Sequence, residues 1–516
     1  MPADDEIGVA AAIPESVDGL PGTIRGIFDR FARAAVELVK NLGVPTCAER
    51  LLRAERAVFG LVTKVADHVT AALIGLAQAS DEGRLGAALA ARKAAAARGV
   101  PLRDHGARTV EIRLLGGSRL AFSTPYHAPD HGQKPGRRRK TRGASGAGAY
   151  PALDYLGIVE RATPALASEV ARQSAALASF REAQQGLAAR GIDLDVKTVR
   201  RLSEFCGERA LRCRDARVEA FEQAEHPAGP PSGGECAGRR MAAVFDGGRT
   251  RTRLSGKRGR KRIKTGRRGF RTPWREPKLM ALYEFDDDGR KTARDPIYEG
   301  TFESWDDAFR IFTAECARRG VGLASEFVVA GDGSSNIWDR VDGFLLKLGI
   351  EPSRVTRIVD YYHASEHVNA LAGLCAKWSE KRRQHWIART TSHLKAGRIE
   401  RVIEAGEELQ IGRRSTAVAK ALDYFRKRME SMRYAAFRAR GLPIGTGVVE
   451  SAIRRVVNLR LKGPGIFWEV DNAERMLILR AHLKSGRWGE LEHGIFSCSA
   501  ASQRRLLPRE RTRAAA

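Results

Sequence analysis

Met241-Ala242-Ala243-Val244-Phe245-Asp246-Gly247-Gly248-Arg249 is the stretch on which the fold turns. Its five leading apolar residues read as a strand, and the Asp-Gly-Gly behind them reads as the strand's end. Val328-Val329-Ala330-Gly331-Asp332-Gly333 repeats the arrangement. A third stretch, Gly445-Thr446-Gly447-Val448-Val449-Glu450-Ser451, sets a glutamate near the start of a strongly basic helix, with Thr446 as its expected N-cap.

Outward from the first stretch, strands alternate with helices. Strands are predicted over residues 241–245, 278–285, 296–302, 326–330 and 354–359. Helices are predicted over 305–319, from about 335 to 348, and from about 363. Residues 374–440 read as helical and precede Gly441-Leu442-Pro443 and the Glu450 helix. Three strands in a meander followed by β-α-β is the strand order of a ribonuclease H-like core. The expected fold class is therefore α/β, a ribonuclease H-like core with a helical insertion. A mainly helical N-terminal DNA-binding region precedes it.

The expected boundaries follow from composition. Residues 1–20 read as a loose tail, 21–105 as helices, and 106–224 as a hairpin plus a helix-turn-helix-like region. Residues 225–238, rich in Pro and Gly, form a linker. Residues 239–373 begin the core, 374–440 are the insertion, 441–490 complete the core, and 491–516 are a C-terminal tail. From about residue 22 to 79 the pattern is helical. Ile24, Ile27, Phe28, Phe31, Ala35, Leu38 and Val39 give one apolar stripe.

In such a sheet the first and fourth strands lie side by side. Their ends bring Asp246 and Asp332 within reach of one metal, and a packed helix supplies Glu450. Three hard carboxylates suit two Mg²⁺ or Mn²⁺ ions, and two such ions can cut and rejoin a phosphodiester. Taken alone, either Asp-Gly is a turn and Glu450 a first-turn helix acid. The joint pattern is what carries the reading.

Charge points the same way. The 516 residues hold 89 Lys+Arg against 61 Asp+Glu, a net charge of +28, which implies an anionic partner, by default nucleic acid. Residues 249–278 alone carry 14 Lys/Arg and one acid, Glu276. This run includes Arg249, Arg251, Lys257, Arg258, Arg260, Lys261, Arg262, Arg267 and Arg268, and reads as a phosphate-gripping hairpin loop. Lys197, Arg200 and Arg201 begin a helix after the turn at Arg190-Gly191, in helix-turn-helix fashion. Residues 133–143 form a basic Gly-rich patch, either a loop touching phosphate or a solvated linker. On the Glu450 helix, Arg454 and Asn458 fall at i+4 and i+8. Arg455, Arg460 and Lys462 add positive charge.

Seven scattered cysteines without a Cys-x-x-Cys pair argue against a disulfide framework and a cysteine zinc ribbon. A reducing compartment follows. The acidic N-terminus lacks an apolar signal region, and no apolar run of about 18 residues suggests a membrane span. Cytoplasmic, nucleoid-associated localisation and no membrane partner are expected.

These residues resemble bacterial insertion-sequence transposases of the DDE class, and among them the ISKra-type family. The resemblance covers roughly 80–490. It is carried by Phe245-Asp246-Gly247-Gly248-Arg249, Trp274-Arg275-Glu276-Pro277-Lys278, Gly331-Asp332-Gly333, residues 360–367, residues 447–455, and Asn458-Leu459-Arg460-Leu461-Lys462-Gly463-Pro464-Gly465. It implies Asp246, Asp332 and Glu450 as catalytic metal ligands. Asp360-x-x-His363 looks like the Asp/Cys-x-x-His element of Mutator-like transposases, which makes Asp360, His363 and His367 accessory candidates. His363 would contact the scissile phosphate or position a carboxylate. Relatives often carry a cysteine pair where this chain reads Tyr126-His127-Ala128-Pro129-Asp130-His131, so zinc is not expected. No organic cofactor is expected either.

The expected function is a transposase that binds double-stranded element ends and target and acts as a homodimer or higher oligomer. A catalytically silent DNA-binding derivative or a ribonuclease H-like nuclease is the alternative. His363-Ala364-Ser365-Glu366-His367 also matches the His-x-x-Glu-His pattern of inverzincin peptidases. A zinc peptidase leaves the charge and the other acids unexplained, and an ordering network beside the acids is the favoured reading.

Overall fold

A computed structural model describes residues 20–129, 148–224, 234–255 and 270–497. The expected N-terminal tail up to residue 19, the basic patch at 133–143, and Lys257, Arg258, Arg260, Lys261, Arg262, Arg267 and Arg268 lie outside the described residues. The chain divides into two compact units, Met1–Cys206 and Gly207–Ala516.

In the first unit, α1 (Leu20–Leu42) and α2 (Ala48–Ala79) form an antiparallel hairpin, broken at Gly43, whose φ is +62°. The single stripe expected on α1 divides in two. Ile27 and Phe31 are buried against Ala72 and the His68 ring of α2, whereas Phe28 and Val39 are exposed. α3 (Asp81–Arg98), capped by the Ser80 hydroxyl accepting from Gly83 N at 3.0 Å, leads into a hairpin of β1 (Leu102–Arg113) and β2 (Arg119–Pro129). Alternate residues Val110, Ile112, Leu120 and Phe122 turn inward. They cluster with Ala71 of α2 and Leu153 of the short helix α4 (Pro151–Tyr155).

The buried Asp67 of α2 accepts hydrogen bonds from Gly116 N (2.8 Å) and Ser118 N (2.9 Å), fixing the turn of that hairpin. By length and composition α2 is long and apolar enough to cross a membrane, although Lys64, Asp67 and His68 interrupt it, so that it contains no unbroken apolar run of about 18 residues. α5 (Pro164–Ala176) and α6 (Phe180–Ala188) follow, then a turn at Gly191 (φ +82°) and α7 (Val196–Gln223), which crosses the division. Asp195 caps α7, accepting from Thr198 N (2.9 Å) and the Thr198 hydroxyl (2.7 Å).

The second unit is built on a mixed five-stranded sheet. Its strands are β3 (Arg240–Gly247), β8 (Lys278–Glu284), β9 (Ile297–Thr301), β10 (Glu326–Gly331) and β11 (Val355–Val359), in the spatial order β11-β10-β3-β8-β9. β8 is antiparallel to both neighbours, while β10 is parallel to β3 and to β11. Between β3 and β8 the chain runs out into an arm of short paired strands. β4 (Thr250–Arg251) pairs with β7 (Trp274–Arg275), and β5 (Leu254–Ser255) pairs with β6 (Phe270–Arg271).

α8 (Trp305–Arg318) and α9 (Ser335–Lys347) cover one side of the sheet. Phe245 of β3 stacks on Phe309 (5.0 Å between ring centroids) and meets Phe344 edge-on (5.7 Å). Successive strand residues alternate faces, so Asp246 lies on the opposite side. α10 (Tyr361–Gly373) follows β11. The expected insertion consists of α11 (Glu380–Lys395), α12 (Ile399–Glu407), α13 (Ser415–Lys427) and α14 (Tyr434–Ala439).

α15 (Gly447–Ala452) carries Glu450 and passes through a π-helical turn, residues Ile453–Asn458, into the single turn α16 (Leu459–Leu461). α17 (Val470–Lys484) packs on β9. Its buried Glu474 accepts from Arg214 (3.1 Å), the Thr301 hydroxyl (2.7 Å) and Phe302 N (2.6 Å), anchoring the end of that edge strand. α18 (Trp488–Ser497) occupies the first residues of the stretch read as a C-terminal tail.

Candidate active site

Val244 and Ala330 are register partners on the parallel strands β3 and β10. Asp246 and Asp332 each stand two residues further on, so the sheet delivers them level with one another. α15 packs on β3 and β8 and brings Glu450 near enough to act on Asp246 electrostatically. Among the described residues, however, the ligand atoms that gather within 4.8 Å of one another are those of Glu450 with Asp360 and His363, not those of Asp246, Asp332 and Glu450 together. The Asp246 carboxyl is pushed up to about 6, first by burial, then by the negative charges of Asp332 and Glu450. Asp246 thus stands within electrostatic reach of both other acids.

Each acid has one oxygen held by the protein. Asp246 Oδ1 accepts from Gly247 N (2.7 Å), Asp332 Oδ1 from Ser334 N (2.8 Å), and Glu450 Oε1 lies 3.3 Å from the Thr446 hydroxyl. Oδ2 of either aspartate accepts no hydrogen bond among the described residues. Oriented, mutually repelling carboxylates with free oxygens are a donor set that fits a hard divalent cation such as Mg²⁺ or Mn²⁺.

Asp360 behaves differently. It is fully buried at the N-cap of α10, and its oxygens accept from His363 N (2.8 Å), the Thr446 hydroxyl (2.6 Å) and Thr446 N. The neighbouring His363 ring, and then these donors, hold its carboxyl below the ordinary aspartate range despite burial. The ring Nδ1 of His363 stands 3.5 Å from Asp360 Oδ1, an ion-pair distance rather than a hydrogen bond. Contact with Asp360, helped by Asp246 and Asp332, pushes the His363 imidazole up to about 9. A cation is therefore built into the acidic cluster.

Ligand-capable atoms of Asp360, His363 and Glu450 lie within 4.8 Å of one another. Because Asp360 is already saturated by protein donors, we read it as the hub that fixes His363 and Thr446, not as a metal ligand. Thr446 does occupy the N-cap position of α15, but its hydroxyl serves Asp360 and makes no cap, which corrects the sequence expectation.

His367 is not part of that ligand cluster. Its ring stacks on Tyr424 at 3.6 Å, and burial lowers its pKa. The Tyr424 hydroxyl donates to the carbonyl of Asp332 (3.0 Å). Gly333 has φ +84°, and a side chain there would stand 2.7 Å from the Tyr424 ring. The loop of Asp332 is thus clamped from the helical insertion. A similar close approach explains Gly247, where a Cβ would collide with the Glu276 carboxylate.

Arg454 and Asn458, expected on the face of Glu450, lie in a π-helical rather than an α-helical turn; Glu450 and Arg454 are both exposed. Arg480 of α17, buried, donates Nε to Val456 O (2.6 Å) and a second nitrogen to Arg455 O, both carbonyls of that turn. Neither Tyr424 nor Arg480 has a local sequence signal, since each acts through a partner more than 20 residues away.

Arg454, Arg455 and Lys462 are exposed beside this turn, while Asn458 is partly buried and Arg460 is buried over Trp468 (4.9 Å). On the arm, the guanidiniums of Arg249 and Arg251 each lie 4.8 Å from the centre of the half-exposed Trp274 ring, and Arg253 lies 4.6 Å from Phe270. The arm is tied to the chain behind Glu450. Thr250 Oγ1 donates to Leu461 O (3.0 Å) and Arg253 N to Trp468 O (2.6 Å). In the first unit Lys197 is exposed, Arg200 pairs with Glu204 (3.5 Å), and Arg201 pairs with Glu160 (3.2 Å).

No protein-family model matches the chain, and no curated protein matches it.

Proposed function

We propose that this chain is a DNA transposase that cuts and joins strands at a two-metal carboxylate centre on a ribonuclease H-like core. The observation that carries the reading is the placing of Asp246 and Asp332 level at the ends of adjacent parallel strands, with Glu450 within electrostatic reach of Asp246, inside a chain of net charge +28. The sheet order, with the second strand antiparallel and the fourth beside the first, supports the fold assignment.

Asp246, Asp332 and Glu450 would hold Mg²⁺ or Mn²⁺, which when bound supplies Lewis-acid charge to the attacking oxygen and the leaving 3′-oxygen. In the step itself a water or a 3′-hydroxyl adds to phosphorus and loses its proton to solvent, while the bond to the leaving 3′-oxygen breaks and that oxygen takes up a proton from solvent. The chain's own residues orient and neutralise. Asp360 fixes His363, which would contact the scissile phosphate or position a carboxylate. Arg249, Arg251, Arg454, Arg455 and Lys462 would grip duplex backbone. The proposed setting is the nucleoid, with element ends and target DNA as substrates.

The test is strand transfer by purified protein on its own element ends with Mg²⁺ or Mn²⁺, beside Asp332→Ala. Joined products that vanish in the variant support the reading. Cleavage without joining makes the protein a nuclease. Binding without cleavage makes it a silent derivative, and cleavage unchanged in Asp332→Ala means the site lies elsewhere.

A further inference from the structure

The α1–α2 hairpin has a second apolar face. Phe28, Val36 and Val39 on α1, with Val58, Phe59 and Val62 on α2, are each between 45% and 62% exposed. At 100° per residue both rows lie about 100° round their helix from the packed face. Rotations of the same sign on antiparallel helices put both rows on one side of the hairpin, so they form a single patch. At on the order of 90 Å² per side chain, these six expose roughly 500 Å² of apolar surface. The largest apolar patch on a monomer is about 300–600 Å² and often functional, and a stable dimer buries about 800 Å² per partner, of which about 56–65% is apolar, an apolar area of this size.

Two charges interrupt the patch, Arg25 and Glu55, and neither has an ion-pair partner among the described residues. Phe31 meets His68 at 5.1 Å, and Ile27, one turn back, clusters with Ala72, one turn on. Both pairs sum to 99, so Arg25 lies level with Ile74 of α2, on the same helix as Glu55. The two charges stand about 19 residues apart along the hairpin, or about 28 Å. A two-fold axis through the middle of the patch, beside Val36 and Val62, sets Arg25 of one copy opposite Glu55 of the other.

We propose that this face binds the same face of a second copy of the chain, forming an antiparallel four-helix bundle about that axis. The inference reaches beyond the strand-transfer reading, and its test uses neither DNA nor metal, so the two can fail separately.

The experiment is analytical ultracentrifugation of the full chain from about 0.1 to 50 μM. The expected species is a dimer. Phe59→Asp should weaken it at least tenfold, and Glu55→Arg several-fold. Arg25→Glu combined with Glu55→Arg should restore wild-type affinity, which a misfolded variant would not do. Val62→Cys should form a covalent dimer on mild oxidation beyond any formed by wild type. A chain that stays monomeric throughout, or a dimer indifferent to Phe59→Asp and to charge reversal, overturns the proposal. So does a monomer that dimerises only once residues 1–19 are deleted, since that segment would then cover the face. Co-flotation with phosphatidylglycerol vesicles that is lost in Phe59→Asp would assign the face to lipid instead.

Discussion

Replacing Asp360 with Asn separates a structural hub from a metal ligand. The buried carboxylate accepts on Oδ1 from His363 N and on Oδ2 from Thr446 N and the Thr446 hydroxyl. An asparagine has one amide nitrogen, and whichever way it turns, that nitrogen faces a backbone N–H. One buried N–H then loses its acceptor. The other bonds lose their charge assistance, worth about 1.5–3 kcal/mol each, and the ion pair to His363 disappears. The metal-free protein should lose about 3–5 kcal/mol.

All seven tryptophans lie at residue 274 or beyond, so tryptophan fluorescence reads the second unit alone. With a urea slope of about 3 kcal/mol/M, the midpoint in EDTA should fall by about 1–1.7 M. Thr446→Ser, which keeps the hydroxyl, should stay near wild type. If Asp360 chiefly added repulsion to Asp246, Asp332 and Glu450, the Asn variant would be as stable as wild type or more so without metal. That result would refute the hub.

Gly333→Ala should lose about 1–3 kcal/mol in the same assay, because it strains a positive φ and pushes on Tyr424. Arg480→Met removes two charge-assisted bonds worth about 3–6 kcal/mol but relieves a guanidinium that burial lowers to about 10, so the stability loss should stay below about 3 kcal/mol. The variant should nevertheless bind Mg²⁺ about tenfold more weakly by calorimetry, as supporting residues around metal ligands do. His482 is buried and faces Arg487, Arg217 and Glu315, and its pKa is held well below 6.5, chiefly by burial and then by the arginines. The unfolded chain therefore takes up that proton first, and its contribution is intact above pH 6.5 and lost as pH falls. Between pH 7 and 5 wild type should lose more stability than His482→Gln in urea titrations, and equal losses would remove His482 as the cause. Arg251→Ala should lower the slope of log K against log salt for duplex binding by about 1 across unrelated sequences, and an unchanged slope would remove Arg251 from the interface.

The framework of the second unit was legible because burial on both faces makes a strand a plain apolar run. Residues 241–245 and 326–330 are such runs, and each ends in Asp-Gly or Gly-Asp-Gly where the chain must turn. The positions of Asp246 and Asp332 follow from that local chemistry. What lay out of reach depends on partner choice over long separations. Thr446 has the look of a helix cap, and only the distant Asp360 diverts its hydroxyl. The i, i+4, i+8 spacing behind Glu450 is correct for an α-helix, but the π-helical turn is held open by Arg480, which no spacing rule connects to it. The stripe on α1 was visible as apolarity. Periodicity alone does not say that it is two faces with different neighbours.

The hydrogen bonds from Thr250 and Arg253 to Leu461 and Trp468 bind the basic arm to the same length of chain that carries the third carboxylate. On the proposed function, the grip on DNA and the completion of the cation site then share one lever. Thermodynamic reciprocity follows. Whatever factor DNA on the arm adds to cation affinity, the cation must add to DNA affinity. Where that factor exceeds one, such a protein would hold its cations most tightly with substrate in hand. Free in solution it would be a poor cutter of whatever strand drifts past.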